Sequence, residues 1–115
     1  MKRYCQALEL KDDPVLIEKY CEVHRHVWPE VINGQREVGI TGMEIYISGR
    51  QLFMIMETVD DFNFERDMAR LAELPRQAEW EAYVSKFQGV DPSASSKDKW
   101  HLMQKIFDQG DKDGA

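Results

Sequence analysis

A titratable imidazole flanked at helical spacing by a phenol and an indole is the feature of this sequence most able to do chemistry. The run Tyr20-Cys21-Glu22-Val23-His24-Arg25-His26-Val27-Trp28-Pro29-Glu30 sets Tyr20, His24 and Trp28 at i, i+4 and i+8, roughly one face of a helix. Pro29 must break that helix, because its ring clashes with the preceding turn and it has no N–H to donate. An imidazole that titrates near neutrality would then stand beside aromatic surface at a forced bend, where a proton and a flat apolar ligand can meet. A packed core uses the same stripe, so spacing alone leaves both readings open.

Other chemistries fit less well. Glu22 lies four residues before His26, and His24 is close to both. Side chains two apart on a helix point to different sides, however, so the two His cannot share an ion. Glu22 and His26 read as an exposed pair, and no metal is expected. There is no Gly-rich phosphate loop and no nucleophile elbow; Ser48 is a hairpin residue. What remains is acid–base chemistry without a cofactor, for which His24 has the right range. Carboxylates that could share its cavity are Glu44, Glu57 and Glu81, each otherwise a solvated surface charge. Glu57 closes an otherwise apolar strand. Trp80 and Trp100 suit a core, or a flat face for a sugar ring with the indole N–H free to donate.

The elements that must position these residues follow from periodicity. Residues 3–10 read as a first strand. Asp12-Asp13-Pro14 is a helix start, an acidic cap followed by Pro at the first helical position. Leu16, Tyr20, Val23 and Val27 then form one apolar row, with Ile17, Cys21 and His24 beside it. Pro29-Glu30 opens a short second helix that Gly39 ends. Residues 40–47 and 51–58 are strands joined by Ser48-Gly49-Arg50, a hairpin signal. The latter strand is apolar on both faces, with Leu52, Met54 and Met56 on one and Phe53 and Ile55 on the other. Both faces of such a strand are covered. Helices in a chain this small reach only one, so a homodimer through the open sheet face is expected.

Asp60-Asp61 caps a helix over about 62–73, which Leu74-Pro75 breaks. Another over about 76–88 carries Trp80, Tyr83, Val84 and Phe87. Gly89–Lys99 is loop by composition, Trp100–Phe107 a last strand, and 109–115 a polar tail. The order β-α-β-β-α-β predicts a single α+β domain over 1–108 of the ferredoxin-like type, one antiparallel sheet with helices on one face.

Bulk properties exclude several partners. At 115 residues, the chain is one domain able to bury a core without staples. A net charge of -6, from 21 acidic and 15 basic residues, argues against nucleic acid or anionic membrane. No apolar run reaches the roughly 18 residues of a membrane span. The N-terminus enters a strand pattern directly, without a secretory apolar region, and Cys5 and Cys21 lack C-x-x-C spacing. Both read as reduced, core-type thiols of a cytoplasmic protein.

Taken in order, Tyr20-x3-His24-x3-Trp28-Pro29-Glu30, Ile45-Tyr46, Leu52-Phe53, the strand ending in Glu57, Trp80 with Tyr83, and Ile106-Phe107 resemble the L-rhamnose mutarotase family, over residues 3–108. The resemblance implies a dimeric α+β barrel protein that interconverts the α and β anomers of a 6-deoxy aldohexose without metal or organic cofactor. It places the catalytic His on His24 and sugar contacts on Tyr20, Met43 and the pair Trp80-Glu81. Met43 and Glu81 stand where the family has Tyr and Trp. The runs Gly42-Met43-Glu44-Ile45-Tyr46, Phe53-Met54-Ile55-Met56-Glu57 and Lys86-Phe87-Gln88 resemble a branch associated with L-fucose, so L-fucose and L-rhamnose both stand as monosaccharide substrates. In that reading His24 is the acid/base, Tyr20 orients it or the sugar, Trp80 stacks, and Glu44 or Glu81 holds a hydroxyl. Two other readings suit the same scaffold: a cofactor-independent monooxygenase or lactone isomerase acting on an apolar aromatic compound, and a non-enzymatic ligand-sensing or dimerisation module.

Overall fold

The structure, a computed structural model, describes residues 1–89 and 96–110. The elements run β1 (Lys2–Glu9), α1 (Pro14–Val23), a 3-10 turn (His24–His26), α2 (Pro29–Glu37), β2 (Ile40–Ser48), β3 (Gln51–Thr58), α3 (Phe64–Glu73), α4 (Gln77–Val84), α5 (Ser96–Lys99) and β4 (His101–Leu102). The strands form one antiparallel sheet in the order β2-β3-β1-β4. This is the expected split βαβ arrangement, with β3 inserted between the two strands that α1 and α2 connect.

Register decides what each strand contributes. Tyr4, Gln6 and Leu8 of β1 stand opposite Met56, Met54 and Leu52 of β3, so these side chains share one face. Leu52, Met54 and Met56 are buried there with Val31 of α2, Met68 and Leu71 of α3, and Trp80 and Val84 of α4. Phe53, Ile55 and Glu57 alternate with them on the other face, stay part-exposed and lie outside this core. Among the described residues no helix is long and apolar enough to cross a membrane.

Local chemistry sets the helix ends. Asp13 caps α1, its carboxylate accepting from the backbone N–H of Val15 at 3.0 Å and of Leu16 at 3.4 Å, with Pro14 at the first helical position. The α-helix ends at Val23, earlier than the aromatic stripe predicts, and tightens into the 3-10 turn. Val27 and Trp28 are then extended, as a residue before Pro must be. Pro29 opens α2 where its missing N–H is harmless. Gly39 leaves α2 at φ +103, where an added Cβ would lie 2.8 Å from Val59 Cγ2.

Several expectations are corrected. Asn63, not Asp60-Asp61, caps α3, accepting from Arg66 N–H at 2.9 Å. Asp67 reaches back to the Asn63 N–H at 2.8 Å. Its carboxyl, bridged by Arg66, bonded to that N–H and touched by Arg70, is held well below the usual carboxylate range. Glu22 pairs with Arg25 at 2.7 Å rather than with His26; in the tightened turn three residues, not four, bring the charges together. The helix expected to 88 ends at Val84, after which Ser85, Lys86 and Phe87 turn. Within the expected loop, Ser96–Lys99 is helical, while 90–95 lie outside the described residues, as do 111–115 of the expected tail.

The last strand is also much shorter than its apolar pattern predicts. Only His101 and Leu102 pair, with Ala7 and Gln6, followed by one bond from Met103 N–H to the Cys5 carbonyl. Ile106 and Phe107 remain 93% and 71% exposed. Their alternation looks strand-like, but among the described residues nothing receives it.

Truncating Leu52, which is 1% exposed, should therefore cost about 2–5 kcal/mol as Leu52→Ala in urea denaturation. Tyr46→Ala, on a side chain 53% exposed, should stay within about 1 kcal/mol. Equal losses would contradict the burial pattern.

Candidate active site

Between the buried face of the sheet and the helices lies a cavity of about 420 Å³. Its floor is apolar: Met43 and Ile45 of β2, Met54 and Met56 of β3. Its walls carry the polar groups, from Tyr20 and His24 at the end of α1 to Trp80 and Glu81 on α4, with Gln88, Trp100 and, from α2, Gln35 and Arg36.

His24 is fixed on two sides. Its Nδ1 lies 2.9 Å from the Tyr20 carbonyl. A carbonyl only accepts, so Nδ1 carries the proton and Nε2 holds the lone pair of the neutral ring. The imidazole leans on Tyr20, ring centroids 4.2 Å apart, and meets Trp80 edge-on at 5.5 Å. Burial lowers its pKa below 6.5, and the bond to the Tyr20 carbonyl offsets part of that. The neutral, basic form therefore dominates at neutral pH. Trp80 is buried, its position set by α4. Trp28, which the stripe places beside His24, is reached through Trp80 at 5.2 Å and stacks on Tyr83 at 5.8 Å under the Arg76 guanidinium.

Glu81 is the carboxylate of this cavity. Burial raises its pKa, and the Lys99 ammonium pulls it back. Lys99, itself buried, donates to Glu81 Oε1 at 3.0 Å and to the Glu81 carbonyl at 2.7 Å. It thereby anchors the segment carrying Trp100 to α4. Burial also raises the Tyr20 phenol far above its ordinary value, with the Gln88 amide against its oxygen opposing the rise. Tyr20 is thus a neutral hydroxyl. Among the described residues no group of His, Cys, Asp and Glu is arranged to hold a metal ion.

Of the residues singled out by sequence, the fold brings Tyr20, His24, Met43, Trp80, Glu81 and Trp100 to one cavity. Glu44 is the correction. It pairs in register with Ile55, on the other face of the sheet, and accepts from the Tyr46 hydroxyl at 3.0 Å. Adjacent residues of a strand face opposite ways, so with Met43 inward Glu44 cannot be. Glu57 is on that face too, paired with Arg3 at 3.0 Å. Sequence reading missed Gln6, Gln88 and Lys99. The alternation Tyr4, Gln6, Leu8, Leu10 signals an inward polar side chain at Gln6; Lys99 carries no such signal.

Comparison with known proteins gives a consistent picture. The family model for L-rhamnose mutarotase matches residues 3–109. An L-fucose mutarotase of Xanthomonas campestris is 38% identical over 109 residues, covering 93% of this chain and 87% of the relative. A UPF0734 protein of Dictyostelium discoideum is 36% identical over 111 residues, covering 93% and 89%. Among solved structures, an L-rhamnose mutarotase from Formosa agariphila superposes with a TM-score of 0.72 at 17% identity, over 93% of this chain and 97% of that one. Tetracenomycin F2 cyclase from Streptomyces glaucescens, a type-II polyketide cyclase, gives 0.61 at 17% identity, over 94% and 98%. At such identity both show the shared fold alone.

The environment of His24 predicts its titration. Followed by its ring resonances, His24 should have a midpoint below 6.5. The folded value is then the lower one, so between it and 6.5 the unfolded chain binds more protons, and stability rises with pH through that window. His24→Asn should flatten this rise. A midpoint above 6.5 would contradict the buried, neutral imidazole.

Proposed function

Since the chain belongs to the L-rhamnose mutarotase family and is a sugar mutarotase of the rhamnose/fucose type, an isomerase, we propose that it interconverts the anomers of L-fucose through His24. Family membership sets aside the monooxygenase and the non-enzymatic module. The observation that carries the reading is the fixed tautomer: with Nδ1–H bound to the Tyr20 carbonyl, Nε2 is the base available to the cavity.

Mutarotation needs a proton removed from the anomeric hydroxyl and one delivered to the ring oxygen. The bond from C1 to the ring oxygen then breaks, giving an open-chain aldehyde. Rotation about C1–C2 presents the other carbonyl face, and closure returns both protons, so nothing is consumed. His24, its pKa lowered, accepts one proton and returns it on closure; Glu81, a carboxylate ion-paired with Lys99 at 3.0 Å, holds a sugar hydroxyl while water supplies the proton to the ring oxygen. An imidazole kept neutral at the working pH is what such general acid–base help requires. Trp80 offers an indole face to the sugar ring.

Two features support the 6-deoxy sugar and L-fucose in particular. The methionine floor of Met43, Met54 and Met56 suits a methyl group at C5. The relative at 38% identity is an L-fucose mutarotase.

Exchange NMR of the anomeric protons tests this. His24→Ala should slow catalysed exchange of L-fucose by about 10²–10⁴-fold while the fold persists. L-galactose, which adds only the 6-hydroxyl, should lose on the order of tenfold to hundredfold in kcat/KM, the effect of burying one unpaired hydroxyl. A folded His24→Ala protein with unchanged exchange would remove His24 from the mechanism.

The expected homodimer belongs to this proposal. Phe53 and Ile55 are part-exposed on the second sheet face, and Leu102, Met103, Ile106 and Phe107 are exposed in and after β4, apolar surface suited to a second copy. Phe53→Asp should shift the mass measured by light scattering from two chains to one. A monomeric wild-type protein would dispose of the dimer.

A further inference from the structure

The Gln88 side chain is 1% exposed, lines the cavity, and its Oε1 has no hydrogen-bond partner among the described residues. A buried amide oxygen left unpaired is costly and uncommon. The Gln88 backbone is held separately, bridging Leu10 and donating to the Ser85 carbonyl at 3.2 Å, so the side-chain amide is not needed to place the residue. Apart from Oε1, the amide lies against the Tyr20 hydroxyl. Turning it end for end would satisfy Tyr20 with the oxygen and leave the NH₂ unpaired instead. Either orientation keeps one polar atom of Gln88 without a partner among the described residues.

Tyr20 relates this amide to the reacting end. Its ring face meets the His24 imidazole, centroids 4.2 Å apart, while its hydroxyl meets Gln88. Tyr20 thus carries the imidazole on its ring and the amide at its hydroxyl end, both lining one cavity. A pyranose that sets its anomeric carbon at His24 and spans the cavity to Gln88 meets it with the carbon across the ring, C4. A hydroxyl there both donates and accepts, matching an amide oxygen and a phenol O–H side by side.

Building on the mutarotase reading, we propose that Gln88, with the Tyr20 hydroxyl, binds the C4 hydroxyl of the sugar and is a specificity-determining residue. L-fucose and L-rhamnose have opposite configurations at C4, so a pair of groups that reads this position separates the two. A site that hydrogen-bonds a substrate hydroxyl discriminates strongly, because a misplaced or missing hydroxyl leaves its polar groups unpaired.

The test compares wild type, Gln88→Met and Gln88→Glu on L-fucose and its C4 epimer, 6-deoxy-L-glucose, by anomeric exchange NMR, with thermal unfolding measured in the absence of sugar. Met keeps the shape and removes both polar atoms; Glu keeps an acceptor. Gln88→Met should raise KM for L-fucose about tenfold or more with kcat little changed, and bring the two epimers to near parity. Gln88→Glu should retain part of the preference. Without sugar, Gln88→Met should unfold at or above the wild-type temperature, since it removes an unpaired buried group. Unchanged KM and preference would overturn the proposal, and so would a lowered unfolding temperature with kcat lowered and KM unchanged, which marks a structural amide. A wild-type protein that exchanges neither epimer would instead count against the mutarotase reading, while the thermal comparison still decides whether the amide serves the fold.

Discussion

The Tyr20 carbonyl sits in the last turn of α1 and accepts from both the backbone N–H and Nδ1–H of His24. The placing of the imidazole in the cavity wall depends on that shared acceptor. Had α1 run on through Trp28, His24 would have been one more residue on a packed helix face. Pro29 prevents this by forcing Trp28 into an extended conformation, and the chain tightens into a 3-10 turn over His24–His26. The imidazole is then held by the helix end, by Tyr20 and by the edge of Trp80. Its protonation pattern is fixed before any ligand arrives, which is preorganisation in the simplest sense.

Burial acts on the two titratable groups of the site in opposite directions. It disfavours the charged form of each, so the imidazole pKa falls and the Glu81 pKa rises. Lys99 moderates the second shift and ties the segment before β4 to α4 through one ammonium. β4 begins just after this buried lysine and a buried tryptophan. The side chains beyond it, Ile106 and Phe107, are apolar yet exposed.

The same fold serves an L-rhamnose mutarotase and a polyketide cyclase. A sheet with helices on one face leaves space between the layers, and the chemistry depends on which side chains reach it. Here methionines on the strands and polar groups on the helix ends divide the space into an apolar floor and a hydrogen-bonding wall, a division that fits a sugar lacking one hydroxyl.

The order of strands and helices was legible because side chains recur with period 2 or 3.6 whatever the tertiary context; β3 over 51–58 and the breaks at Pro29 and Gly39 follow from this alone. So does the pairing of Tyr20 with His24, four apart on one helix. The alternation in β2 even carried the information that Met43 and Glu44 cannot both face the cavity, since adjacent strand residues point opposite ways. Which of the two faces inward was settled by the register of β2 against β3. Lys99 meeting Glu81, and Gln88 meeting Tyr20, were decided only by folding. Those partners lie on different elements, and no local periodicity couples them; packing of α4 and the strap after it against the sheet brings them within reach.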